Sequence, residues 1–184
     1  MTDTRTYHIS LFNTLIGVFS VAVGTDGTVA AAVFGDEDAL RARLRGGQLV
    51  PDAGRTAEAR GQVEEWFGGT RRAFSLGLSP AGTPFQRRVW DALRGIPFGE
   101  TRSYAEVARA VGSAARAVGR ANATNPICLI VPCHRVVGSD GSLTGYAFGE
   151  DTKRRLIEFE AACLRAGHRP EALRTASTNA FSLA

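Results

Sequence analysis

The chain reads as an α+β protein, with a small N-terminal α/β domain built on an antiparallel sheet and a helical C-terminal domain containing a helix-turn-helix. Three observations carry that expectation. Residues 7–34 alternate apolar with polar or small side chains around Gly24-Thr25-Asp26-Gly27, the pattern of strands joined by a turn. Residues 83–123 carry apolar side chains at helical spacing instead. Between them, Ser79-Pro80-Ala81-Gly82 has the composition of a linker. The expected divisions are therefore 1–80 and 81–165, followed by a polar, small-residue tail over 166–184 expected to be poorly ordered.

Each element has its own signal. In the first part, 7–23 and 28–34 are expected as strands, 36–45 as a short helix, and 46–54, which carries Pro51, as a loop. Ala59, Val63, Trp66 and Phe67 give 55–67 a helical face, and Gly68-Gly69 ends it. One more strand is expected at 73–78. In the second part, Thr83-Pro84 opens a helix with proline at its start and Phe85, Val89, Trp90 and Leu93 on one face. The segment 95–99 breaks it. Ser103 or Thr101 caps a helix over 104–110, and Glu106 stands three residues after Ser103, as in a capping box. Val111-Gly112-Ser113 turns the chain into a helix over 114–123, stopped by Asn125-Pro126. Two short helices about such a turn form a helix-turn-helix. A strand over 127–137, a glycine-rich loop over 138–149 and an amphipathic helix over 151–163 complete the reading.

Composition bounds the partners. No run approaches the roughly 20 apolar residues of a membrane helix, and 1–10 has no basic flank followed by an apolar stretch, so neither a membrane span nor a secretory signal is expected. Cys128, Cys133 and Cys163 are an odd count with no CxxC pair, which argues against a disulfide framework and a thiolate zinc site and points to a reducing, cytoplasmic setting. Cys128 and Cys163 read as buried small hydrophobes. Residues 1–80 hold 8 arginines against 9 acidic residues, net −1, whereas 81–184 hold 14 basic against 9 acidic residues, net +5. A basic C-terminal half suits an anionic partner such as nucleic acid. A general preference for arginine, with Lys153 the only lysine, accounts for the charge equally well.

The segment Ile130-Val131-Pro132-Cys133-His134-Arg135-Val136-Val137 sets a thiol between a proline and a histidine inside an apolar run. A thiolate with a base beside it is a candidate nucleophile. Upstream, nearly every side chain of 114–123 is small. Such a helix is either a simple helix former with Val118 in the core, or one shaved to lie against groove walls with Arg116 and Arg120 as its only long side chains.

Four blocks, Ile-Pro-Phe-Gly-Glu-Thr-Arg-Ser-Tyr (96–104), Ala-Arg-Ala-Val-Gly-Arg-Ala-Asn (115–122), Asn-Pro-Ile (125–127) and Val-Pro-Cys-His-Arg-Val-Val-Gly (131–138), occur in this order. Together they resemble the methylated-DNA–protein-cysteine methyltransferases, also called O6-alkylguanine-DNA alkyltransferases, closely over 83–160 and more loosely over 7–82. The resemblance implies direct repair of O6-alkylguanine, with O4-alkylthymine a further candidate, in double-stranded DNA bound through the minor groove by a monomer. Cys133 would accept the alkyl group, His134 would deprotonate it, Glu160 would hold the imidazole, and Asn125 would brace the adjacent turn. Neighbours on a strand point to opposite faces, so a water bridging Cys133 and His134 is compatible with that assignment. Tyr104 would help rotate the nucleotide out of the stack and donate to the leaving purine. Arg116 would fill the gap, Ser103 would touch phosphate, and Ala115, Gly119 and Arg120 would lie along the groove.

An S-alkyl thioether is not hydrolysed under mild conditions, so transfer would be stoichiometric, without turnover, cofactor or metal. One departure stands out. Where the family has a small residue and two glycines after Gly145-Tyr146, this chain has Ala147-Phe148-Gly149. Tyr146, Ala147 and Phe148 would line the substrate pocket, and Phe148 is compatible with narrowing it, stacking on the flipped base, or pointing outward. Two other functions fit less well: a non-transferring lesion sensor, which would lack the cysteine, and a Cys-His hydrolase, which would need an oxyanion hole.

Overall fold

The computed structural model describes residues 5–166. Strands β1 (Thr6–Asn13), β2 (Val18–Gly24) and β3 (Val29–Phe34) form an antiparallel meander, and β4 (Gln48–Pro51) adds in parallel beside β1, giving the order β3-β2-β1-β4. All six residues of β3 are buried, because both faces of the sheet are covered. On one face Tyr7, Ile9, Ala31 and Val33 pack with Leu40 of helix α1 (Glu37–Arg41). On the other, Phe19, Val21 and Ala32 join the main core.

That core also takes Val63 and Trp66 from helix α2 (Ala57–Phe67), and it continues into the second half through Trp90, Leu93, Val118 and Leu156. Helix α3 (Pro84–Arg94) opens with a full capping box between Thr83 and Gln86, and Trp90 Nε1 donates to Ala121 O at 2.8 Å. Helices α4 (Tyr104–Val111) and α5 (Ala115–Ala123) flank a turn in which Gly112 adopts φ +66°, the left-handed conformation that glycine takes without a Cβ clash. A two-residue parallel pair, β5 (Arg102–Ser103) with β6 (Val136–Val137), ties the start of α4 to the cysteine segment. Helix α6 (Glu150–Arg165) closes the described chain. None of the described helices is long and apolar enough to cross a membrane.

Several elements differ from expectation. The stretch 7–23 is two strands, because Thr14 N and Oγ1 both donate to Gly17 O, at 2.9 and 2.7 Å, and close a turn. Leu15 and Ile16 in that turn hide it from an alternation argument. Within 46–54, Gln48–Pro51 is an edge strand, the position where proline's missing N–H is harmless. The strand expected at 73–78 reduces to one bridge between Leu78 and Val29. Asp36 caps α1 rather than joining it, and the helix stops at Arg41. The expected tail lies outside the described residues apart from Ala166.

Candidate active site

The segment expected as a strand over 127–137 is irregular. Pro126 and Pro132 cannot donate to a ladder, and Leu129 turns back at φ +68°. What fixes the segment is β3 and one side chain. Ala32 N donates to Pro126 O at 2.9 Å and Cys128 N to Ala32 O at 2.7 Å. Asn125, buried, donates from Nδ2 to Val131 O (2.9 Å) and Ile127 O (3.4 Å) and accepts from Ile127 N at 3.0 Å. One amide thus satisfies backbone groups that have no ladder partners. Cys133–Arg135 then form a single 3₁₀ turn, so Cys133 and His134 do not sit on opposite faces of a pleat.

His134 is fully buried, and its Nε2 lies 2.8 Å from Glu160 Oε1. Its Nδ1 has no hydrogen-bond partner. Burial pushes the His134 pKa below its ordinary value against the pull of Glu160. The imidazole is therefore neutral, with its proton on Nε2 toward the carboxylate and a lone pair on Nδ1. Burial pushes Glu160 up, but His134 and Arg135 outweigh it and hold the carboxyl below its usual value. Arg135 Nε and Nη2 donate to Glu160 Oε1 at 3.0 and 2.8 Å, and Gly99 N donates to Oε2 at 2.8 Å. Arg135 Nη1 is held by Ile96 O at 2.7 Å. Sequence reasoning gave Arg135 no role. The signal was there, a charged residue inside an apolar run, because such a group is buried only when paired.

Cys133 is 2% exposed and Cys128 1%, with their sulfurs 4.0 Å apart. The Cys128 thiol lowers the Cys133 pKa against the effect of burial, with smaller help from Asn125 and Lys153. Burial raises Cys128 well above an ordinary thiol. Asn122 Nδ2 donates to Cys133 O at 3.3 Å. The loop 138–149 is drawn over the site at one point, where Thr144 O accepts both Tyr104 Oη and Lys153 Nζ, each at 3.2 Å. Burial brings the Lys153 pKa down to about 8. Asn122 and Lys153 were also missed, since an asparagine on a helix and the sole lysine carry no local mark of burial.

The remaining expected residues fall into two groups. Ala115, Arg116 and Arg120 are exposed on α5. Gly119 faces Tyr104, whose ring a Cβ there would meet at 3.9 Å. Ser103 Oγ accepts from Glu106 N (3.1 Å) and donates to Glu106 Oε2 (2.8 Å), so its hydroxyl serves the helix cap. Tyr146 is buried with an unpartnered hydroxyl, and Ala147 is exposed. Phe148 turns inward: its ring lies edge-on to Phe34 (5.7 Å) and Tyr146 (5.6 Å), with the Arg43 guanidinium 5.6 Å away. Among the described residues no group of three or more His, Cys, Asp or Glu could hold a metal ion.

Known proteins resemble this chain in sequence and in fold. The family model "6-O-methylguanine DNA methyltransferase, DNA binding domain" matches residues 84–162. A methylated-DNA–protein-cysteine methyltransferase of Methanosarcina acetivorans is 53% identical over 108 residues, 58% of this chain and 69% of the relative. Its counterpart from Mycobacterium leprae is 52% identical over 113 residues, 60% of this chain and 68% of the relative. The crystal structure of Mycobacterium tuberculosis OGT in complex with DNA superposes with a TM-score of 0.76 at 40% identity, covering 85% of this chain and 94% of that one.

Proposed function

This chain belongs to the methylated-DNA–protein-cysteine methyltransferases, and on that premise we propose that Cys133 is its alkyl acceptor and O6-alkylguanine in duplex DNA its substrate. The protein is a DNA-binding repair enzyme that moves an alkyl group onto one of its own cysteines. The observation that carries the residue assignment is the buried His134–Glu160 pair, 2.8 Å apart, immediately after Cys133.

The reaction follows from those groups. His134 Nδ1, with its free lone pair, takes the Cys133 proton directly or through a bridging water. Glu160, as a positioning residue, fixes the Nε2–H tautomer and favours the imidazolium that forms. The thiolate attacks the alkyl carbon. An S–C bond forms as the C–O6 bond breaks, and the electron pair leaves on the purine. Tyr104 Oη then exchanges Thr144 O for the purine and donates to it as charge develops. The proton that His134 took from Cys133 passes back, through water or the Tyr104 hydroxyl, to the purine anion, so the proton balance closes and His134 is neutral again. The product is a thioether, so each molecule acts once. O4-alkylthymine, whose alkyl carbon is similarly activated, is a second candidate substrate.

The guanine must be flipped out of the duplex, at a cost of roughly a few kcal/mol. The exposed, small-residue face of α5 suits the minor groove, with Arg116 entering the stack and Arg120 and Ala115 alongside. We assign the DNA and alkyl chemistry to residues 81–165 and take the protein to act as a cytoplasmic monomer, where its three cysteines, none in a disulfide, stay reduced. A duplex oligonucleotide carrying O6-methylguanine should add the mass of one methyl group to intact protein, and Cys133→Ala should abolish the gain. Transfer persisting in Cys133→Ala would overturn the assignment.

A further inference from the structure

We propose that Cys128 is a second working thiol of this site, its S–H donating to the Cys133 sulfur and holding the negative charge that alkyl transfer requires. The proposal rests on Cys133 being the acceptor. Three observations carry it.

The first is the contact itself. The two sulfurs are 4.0 Å apart, within reach of a thiol hydrogen bond, and both residues are buried, so bulk water does not compete. A neutral Cys133 can donate or accept. A thiolate can only accept, so the bond must then run from Cys128 to Cys133. Hydrogen bonds to a charged partner are about twice as strong as neutral ones, and low local polarity strengthens them further.

The second is that the main chain of Cys128 is fixed beside the acceptor. Its N–H is held by Ala32 O of β3 at 2.7 Å, and its carbonyl accepts from Ile130 N at 2.8 Å. The N-terminal sheet therefore positions a group that touches the reacting atom. Burial keeps Cys128 protonated through the range in which Cys133 ionises, so it remains a donor.

The third is the commitment of the other groups around Cys133. From α6, Lys153 Nζ is bonded to Thr144 O, and from α4, Tyr104 Oη is bonded to the same oxygen. From the first half of the chain, Arg43 Nη1 donates to Ala123 O at 3.0 Å. Asn125 Nδ2 serves two carbonyls, and His134 presents a lone pair rather than a proton at Nδ1. Lys153 still favours the thiolate by charge, and the rival donors are Asn125, whose amide gives the thiol smaller help, and Tyr146, whose hydroxyl has no other partner.

The test is the pH dependence of single-turnover alkylation of Cys133 by free O6-methylguanine base, followed by intact mass in the full chain. Cys128→Ala and Cys128→Val, which remove the donor with and without leaving space, should both shift the profile alkaline by about one pH unit, about tenfold in rate at neutral pH. Both should recover the wild-type plateau at high pH. Cys128→Ser, which keeps a donor, should lie nearer wild type than either. Tyr146→Phe, measured alongside, should shift the profile less than Cys128→Ala. Profiles of Cys128→Ala and Cys128→Val that overlay wild type would overturn the role of Cys128 alone. So would equal slowing of all three Cys128 variants at every pH, or a larger shift in Tyr146→Phe. A wild-type protein that gains no alkyl mass on Cys133 would overturn the acceptor assignment and this proposal together.

Discussion

His134 Nε2 and Glu160 Oε1 lie 2.8 Å apart in a fully buried site, and the same carboxylate is forked by Arg135. One acid thus orients the imidazole while a guanidinium balances its charge. Glu160→Gln leaves Arg135 buried without its counter-charge. It should cost about 3 kcal/mol of stability by urea denaturation, and it should slow transfer because the imidazole loses its preferred tautomer.

The same pair makes the protein acid-sensitive. His134 has a depressed pKa in the folded state, so below its ordinary value near 6.5 the unfolded chain binds the extra proton and stability falls. Glu160 is also depressed, so its contribution is present above its ordinary value of 4.5 and is lost as the pH falls through the folded value. Thermal midpoints should therefore decline from pH 7 toward pH 4. The Glu160 part of the loss falls below about pH 4.5, and in Glu160→Gln it should be absent.

Tyr104 and Lys153 share Thr144 O, so they latch the loop over the site. Lys153→Met should free it. Amide hydrogen exchange across 138–149 should rise, and transfer should slow because the cation that favours the Cys133 thiolate is gone. Tyr104→Phe should loosen the loop less, since it removes a neutral donor, worth about 1 kcal/mol, rather than a charged one.

Arg116 is exposed on α5 and Cys133 is buried, so they should separate kinetically. Arg116→Ala should slow transfer from duplex DNA at least tenfold more than transfer from the free base, because only the duplex has a stack to refill. DNA affinity should fall as salt rises, with a shallower slope in Arg116→Ala if that residue also neutralises a phosphate. Equal slowing with both substrates would rule out insertion.

Phe148 binds the 138–149 loop to Phe34 of β3 and to Arg43, just after α1. Being half-buried, it should cost about 2 kcal/mol on truncation, below the range for a core phenylalanine. Intact-mass assays should show Phe148→Gly accepting bulkier O6-alkyl groups, since the ring also bounds Tyr146 beside the thiol.

Much of the architecture was legible because local rules carried it. The capping box at Ser103, the proline-led start of α3, the turn at Gly112 and the apolar faces of α2 and α3 are written within a few residues each. The failures have a common cause. The turn at 14–17 and the edge strand Gln48–Pro51 depend on partners distant in the chain or on a side-chain contact that hydrophobic patterning does not encode. The cysteine segment looked like a strand because it is apolar, and apolarity alone does not separate a strand from a buried turn held by Asn125.

By itself the sequence determined the thiol, its neighbouring base and the shaved helix, because each is a matter of residue type in local order. Only the tertiary structure decided which groups surround that thiol. Arg135 against Glu160, Lys153 against Thr144 and Cys128 against Cys133 are set by how β3, α6 and the irregular segment pack together. The reason is physical. A charge or a thiol acquires its working pKa from burial and from its neighbours, and both exist only once the chain is folded.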